Sequence, residues 1–230
     1  MALPDGKDAG GSVMQVLLLP PNLVAHVRLA LALAAAAAGP SVASLALFAA
    51  SLLLDAVDGW VARKLGQETS FGAFYDVAID NLTRALLFWC GAAGAFGSGS
   101  GLPPALLGLV PALEGVCLAC THASGGSAWK TGCFRSAPPW VRAVAAGGFR
   151  NPAGALAFTG IYGLPLWLHA RSCLRPGSLL AAGAWAALLV PARLLAAAVE
   201  CWLVGRRMRL LLQQDAAARR HPAGDEVAQG

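Results

Sequence analysis

The chain has 230 residues and a formal net charge of +5, with 57% hydrophobic and only 13% charged residues. An ordinary globular chain carries about 25% charged residues, so this one lacks the polar surface to cover a water-facing body. Its apolar residues come in blocks and its mean hydropathy is +0.61, which excludes a soluble domain and predicts an all-α integral membrane protein. The positive charge is not a nucleic-acid signature, because Lys and Arg sit beside apolar segments, where they orient helices and attract anionic headgroups. No nucleic-acid partner is expected, and an interaction tail is the alternative only for Arg206, Arg207, Arg209, Arg219 and Arg220. The six cysteines lie in or beside apolar stretches and form no secreted disulfide framework. The lone Cys117-x-x-Cys120 pair reads as small apolar residues packing in a helix.

Residues 1–12 are polar and Gly-rich and are expected to be disordered. The short apolar stretch Val13–Pro20 is expected to lie in the membrane interface, as an N-terminal helix ahead of the first span. A spanning helix needs about 20 mostly apolar residues, and six such segments follow, at roughly 22–38, 42–64, 73–97, 103–122, 152–171 and 179–205. The membrane domain therefore runs over 13–213, with a polar tail at 214–230. The connections after spans one and three contain no Lys or Arg, whereas Arg63 and Lys64 follow span two. Lys130, Arg135, Arg142 and Arg150 follow span four. By the positive-inside rule these two basic connections and both termini face the cytoplasm, with Arg171 and Arg175 dissenting. The connection 123–150 is long for a loop between spans and is expected to cover a site, and Pro138-Pro139 is expected to break any helix there.

Spans two and three carry Asp55, Asp58, Asp76 and Asp80. A charge at mid-membrane costs ~2.5–3.5 kcal/mol on insertion scales, so four unpaired carboxylates demand compensation. Asp55 and Asp58 are three apart, and Asp76 and Asp80 four apart, so each pair shares one helix face. Antiparallel helices joined by a turn at 66–70 bring those faces together, and converging carboxylate oxygens suit hard divalent cations such as Mg²⁺ or Mn²⁺. The alternative is a set of salt bridges with Arg63, Arg84 and Arg193. Gly59 and Ala62 lie on the stripe of Asp55, and Gly72 lies one turn before Asp76. Small residues there admit a bulky ligand, or equally serve helix packing.

Together the residues read Asp55-x-x-Asp58-Gly59-x-x-Ala62-Arg63, then Gly72-x-x-x-Asp76-x-x-x-Asp80. This resembles the signature of the CDP-alcohol phosphatidyltransferase family. Within the family, Pro21-Asn22 with Arg28, the run Leu54–Gly59, the stretch Thr69–Ala73 and the segment Arg206–Ala217 are most similar to eukaryotic phosphatidylinositol synthases. Those enzymes usually place Arg directly after the last aspartate, where this chain has Asn81, with Arg84 one turn on.

The resemblance implies transfer of the phosphatidyl group from CDP-diacylglycerol to a polar alcohol, foremost myo-inositol, giving phosphatidylinositol and CMP. It implies two divalent ions, Mg²⁺ or Mn²⁺, held by Asp55, Asp58 and Asp76 with Asp80 touching one, and Asp80 as general base. Gly59, Ala62, Arg63 and Gly72 would shape the CDP-lipid pocket. Arg142 and Arg150 are placed either to reach the acceptor or a phosphate, or simply to flank the membrane. The resemblance further suggests a homodimer in the endoplasmic reticulum, with the active site facing the cytoplasm. Three rivals share features of the pattern: a transferase with a glycerol phosphate or serine acceptor, a transporter using the intramembrane carboxylates, and a pseudoenzyme scaffold.

Overall fold

The computed structural model describes residues 9–97, 104–125, 133–175 and 177–220. Every regular element among them is helical. In chain order these are α1 (Ala9–Leu17), α2 (Pro20–Ala37), α3 (Val42–Leu65), α4 (Ser70–Gly97), α5 (Pro104–Gly125), α6 (Pro139–Ala145), α7 (Pro152–Cys173) and α8 (Ala186–Arg220), with single 3₁₀ turns at Leu179–Ala181 and Gly183–Trp185 before α8. α1 begins four residues inside the segment expected to be disordered, so the apolar stretch after Ser12 nucleates a helix that reaches back to Ala9. α8 runs through Arg220, so the start of the polar tail continues the last helix. The rest of the tail, like residues 1–8, lies outside the described residues.

Local chemistry fixes the helix ends. α2 starts on Pro20-Pro21, where the missing N–H is no loss and the fixed φ suits the first turn. At α3 the Ser41 hydroxyl accepts from the Ser44 amide while the Ser44 hydroxyl accepts from the Ser41 amide, a capping box with Ser in both places. α3 ends at Gly66, with φ 62° in the left-handed region that glycine adopts without strain. The Pro138-Pro139 pair does not simply break helical structure: Pro138 is extended and Pro139 opens α6.

Among the described residues, three helices are long and apolar enough to cross a membrane, Pro20–Ala37, Val42–Leu65 and Gly183–Ala217. The other three segments expected to span are helical as well, and the described part of α5 includes an apolar stretch at Gly108–His122. α4 carries Asp76, Asp80 and Arg84, and α7 carries His169 and Arg171. The polar groups that serve the interior weaken the signal that marks a span.

Charged groups lie inside the body and large apolar side chains cover much of its surface. Arg28, Asp58, Asp80, Arg84, Glu114 and Arg193 are buried, whereas Leu53 and Trp89 point outward at 74% and 75% exposure. This is the polarity of an integral membrane protein, where charges face the bundle interior and find partners there.

α4 lies against α2, α3, α5 and α7, while α8 closes the bundle against α5 and α7. Two close crossings depend on glycine. A Cβ on Gly91 of α4 would sit 2.9 Å from the backbone nitrogen of His169, and one on Gly160 of α7 would overlap the backbone of Ala192 and Arg193. Small residues at such points let helix backbones approach where no hydrophobic effect drives association. Phe48, Leu87, Ala32 and Ala35 fill the space among α2, α3 and α4. Phe88, Trp167, Leu168 and Leu189 fill that among α4, α7 and α8.

Candidate active site

The turn after Gly66 folds α4 back beside α3 and brings the four aspartates to one place, as their spacing predicts. Asp58 and Asp80 are buried, while the side chains of Asp55 and Asp76 are 36% and 40% exposed. One oxygen each from Asp55, Asp76 and Asp80 lies within 4.8 Å of the others. Asp58 completes the cluster through a shared partner, Arg28 of α2.

Arg28 is 1% exposed and reaches all four acids. Its Nη1 pairs with Asp58 and with Asp76 Oδ1 at 2.6 Å, and its Nη2 pairs with Asp80 and with Asp55 Oδ1 at 2.8 Å. Compensation thus comes mainly from a guanidinium to which spacing gave no role, and of the expected arginines only Arg84 contributes among the described residues. Arg84 approaches Asp80 only at 3.7 Å, and Arg193 pairs with Glu114 and Glu200 instead. One cation against four acids leaves the cluster strongly negative. An all-oxygen donor set of that charge fits hard divalent ions, so the residues present suit the metal that the motif implies.

Two cavities, each of about 250 Å³, meet at Asp76 and Val77. The first is lined by Asp58, Gly59, Ala62, Arg63 and Gly72, together with Asn22, Gln67, Thr69 and His122. All four residues expected to shape the CDP-lipid pocket therefore share one cavity wall. Gly72 is needed there for space: a Cβ would lie 3.0 Å from both Asn22 Oδ1 and Thr69 Oγ1. Asn22 is itself held by donation from Nδ2 to the Val16 carbonyl at 2.6 Å, a contact that ties α1 to this wall.

The second cavity lies between α4, α5, α7 and α8. Asp55, Asp80, Arg84, Glu114, Tyr162 and Glu200 supply its polar groups, and Val144 and Phe149 of the long connection help to line it. Tyr162 donates to Asp80 Oδ2 at 2.5 Å, and the Arg84 guanidinium lies over the Tyr162 ring, 4.9 Å from its centre. Phe149 is held at φ 68° after two glycines at 61° and 67°, a left-handed run that non-glycine residues rarely join. Its ring packs edge-on against Phe134 and Phe158. Arg142 and Arg150 are exposed and line neither cavity.

Sequence reasoning reached the aspartates and the small residues but gave Arg28 no role in the site and left out Tyr162 and Glu114. Arg28 and Glu114 carried a usable signal, since each is a charge inside an apolar segment. Tyr162 carried none, because a tyrosine in such a segment is unremarkable until its hydroxyl is seen to meet a carboxylate.

The arrangement defines a helical membrane protein whose clustered acids join two cavities. The sequence model of the CDP-alcohol phosphatidyltransferase family matches residues 18–130. Residues in this region are 37% identical over 83 residues to the CDP-diacylglycerol–inositol 3-phosphatidyltransferase of Candida albicans, covering 35% of this chain and 36% of that protein. They are 40% identical over 76 residues to CDP-diacylglycerol–inositol 3-phosphatidyltransferase 1 of Arabidopsis thaliana, covering 32% and 34%. The archaetidylinositol phosphate synthase of Aeropyrum pernix is 50% identical over 72 residues, covering 29% and 36%. The chain thus spans about a third of the length of these curated relatives. No solved structure matches.

Proposed function

We propose that the chain is a membrane transferase that moves the phosphatidyl group from CDP-diacylglycerol to myo-inositol, giving phosphatidylinositol and CMP. The observation that carries this reading is the pair of cavities meeting at Asp76, with acids on both sides of the junction. A group-transfer enzyme with two substrates needs a donor site and an acceptor site that share one reacting point. The relatives named as inositol transferases support the choice of acceptor.

In this reading the first cavity takes the CDP end of the donor. Gly59, Ala62 and Gly72 leave room for it, and Arg63 faces the diphosphate. Asp55, Asp58 and Asp76, with Asp80, are the residues that would hold two divalent ions, Mg²⁺ or Mn²⁺. When bound, such ions neutralise the diphosphate and stabilise charge on the leaving group. The acceptor enters the Tyr162 cavity. Asp80, which lines that cavity, takes the proton from its hydroxyl. The freed oxygen bonds to the lipid-side phosphorus as the bond from that phosphorus to the CMP oxygen breaks, and CMP leaves with the electron pair.

The proposal extends to six spans with α1 in the interface, the residues 13–213 acting as one membrane domain, both termini and the active site in the cytoplasm, and residence in the endoplasmic reticulum as a homodimer. Supplying labelled inositol, glycerol phosphate and serine separately with CDP-diacylglycerol tests the central claim. Labelled phosphatidylinositol with equal release of CMP supports it, and a lipid product formed only from another acceptor overturns the choice of inositol. Solute flux without CMP release would favour a transporter.

A further inference from the structure

A second group of charges lies at the Tyr162 cavity, beside the four aspartates. Glu114 Oε2 accepts from Arg84 Nε at 2.6 Å, and Glu114 Oε1 accepts from Arg193 Nη2 at 3.0 Å. The same Arg193 nitrogen donates to Glu200 Oε2 at 2.9 Å. Glu114, Arg193 and Arg84 are 4%, 3% and 6% exposed, so these contacts are sheltered from water.

The order of the groups matters more than their number. Glu114 and Glu200 line the cavity, whereas Arg193 is not among the lining residues and stands behind them. Arg84 does line it, but its charge is shared by Glu114 and Asp80. Asp55, Asp76 and Asp80 belong to the aspartate cluster proposed to hold the ions, so beyond that cluster the described wall presents the carboxylates of Glu114 and Glu200 and a single guanidinium, already paired. A phosphorylated acceptor needs a guanidinium or ammonium that is free to pair with it. Set against this wall, it would meet like charge in a sheltered place. A neutral polyol meets no such penalty, since each hydroxyl donates to a carboxylate and accepts from an N–H.

We propose that Glu114 and Glu200 are specificity-determining residues, which reserve the cavity for an uncharged polyol and reject a phosphorylated one by keeping Arg84 and Arg193 paired. This rests on the reading of the Tyr162 cavity as the acceptor site. Glu200→Gln keeps the side-chain volume and removes one of the charges that neutralise Arg193. Arg193 Nε and Nη1 have no hydrogen-bond partner among the described residues, so the freed cation has donors to spare.

The test uses the full chain in detergent micelles with CDP-diacylglycerol, comparing CMP release with myo-inositol and with myo-inositol 1-phosphate. Wild type is expected to prefer inositol. Glu200→Gln is expected to shift the ratio of the two kcat/KM values toward the phosphorylated acceptor by about tenfold or more, the size of one charge-assisted hydrogen bond. Glu114→Gln should shift it the same way. If that variant fails to fold, Glu200→Gln carries the test, because Glu200 makes one of these ion pairs and Glu114 makes two. A second arm uses inorganic phosphate as the probe in thermal unfolding without donor, where it should stabilise Glu200→Gln and leave wild type unmoved. A wild type that prefers the phosphorylated acceptor, an unchanged ratio in a folded variant, or equal stabilisation of both proteins by phosphate would overturn the proposal. Absence of CMP release with every acceptor would instead remove the transferase reading, and the phosphate arm would then decide the character of the cavity by itself.

Discussion

The Tyr162 hydroxyl donates to Asp80 Oδ2 at 2.5 Å, joining α7 to α4 across 82 positions of sequence. Asp80 Oδ1 is meanwhile taken by Arg28, so the carboxylate is held at both oxygens and cannot turn freely. Tyr162 is therefore a positioning residue for the proposed base. Tyr162→Phe removes one hydrogen bond to a charged group, worth ~1.5–3 kcal/mol, and keeps the ring beneath Arg84. We expect kcat to fall by about tenfold or more, with KM for CDP-diacylglycerol little changed because the donor cavity does not include Tyr162. A rise in donor KM with kcat intact would show that the residue acts on binding or folding instead.

Arg28 holds four acids, and its removal leaves them facing one another. Breaking a buried pair by deleting one partner typically costs ~3–5 kcal/mol. Arg28→Ala should therefore lower the melting temperature of the purified protein. The loss should be partly restored by millimolar Mg²⁺ or Mn²⁺, because a divalent ion replaces the missing positive charge. The same ions should stabilise wild type less, since its cluster already has a partner. Thermal unfolding with and without the ions checks both statements, and an Arg28→Ala protein as stable as wild type in chelator would show that the acids are compensated elsewhere.

These contacts separate what the sequence alone determines from what the packing determines. The paired spacing of Asp55 with Asp58, and of Asp76 with Asp80, is a local property of one helix each, and the short turn at Gly66 leaves little freedom in how the two helices meet. That part of the site was legible. Arg28 comes from a helix separated from Asp80 by 52 positions, and its aim depends on how α2 packs on α3 and α4. Arg193 is the converse case: as a charge in a span it is a candidate partner for the aspartates, but its place along α8 brings it to Glu114. The six expected spans fall on helices, of which three among the described residues are long and apolar enough to cross a membrane. α4 serves the site with Asp76, Asp80 and Arg84, and the same residues dilute its apolar character.

Removing the metals should silence transfer if the aspartates act as proposed. EDTA is expected to abolish CMP release, and Mg²⁺ or Mn²⁺ in excess to restore it. Asp80→Asn should also abolish turnover, because an amide takes up no proton, yet binding of CDP-diacylglycerol should persist through the first cavity, which Asp80 does not line. Activity that ignores the chelator would take the ions out of the mechanism, and a fully active Asp80→Asn would take away the base.

Gly72 separates space from charge as the basis of donor binding. It lies where Asn22 and Thr69 converge on the first cavity, and the Gly72 amide donates to Thr69 Oγ1 at 2.9 Å at the start of α4. A Cβ there would stand 3.0 Å from two oxygens, one on each side, so even Gly72→Ala must displace one of them, and Gly72→Val must also fill the cavity itself. The aspartates are untouched in both variants, and Asp76 still projects from the next turn of the helix. Transfer chemistry should survive while donor affinity declines in the order Gly, Ala, Val. One added methylene in a fitted pocket is worth ~1–3 kcal/mol, which corresponds to a rise in the KM for CDP-diacylglycerol of about tenfold or more per step. Steady-state kinetics with inositol saturating would show this as a KM effect with kcat within a few-fold of wild type. If kcat falls while KM holds, the glycine is needed to seat Asp76 rather than to admit the nucleotide, and the first cavity loses its claim to the donor.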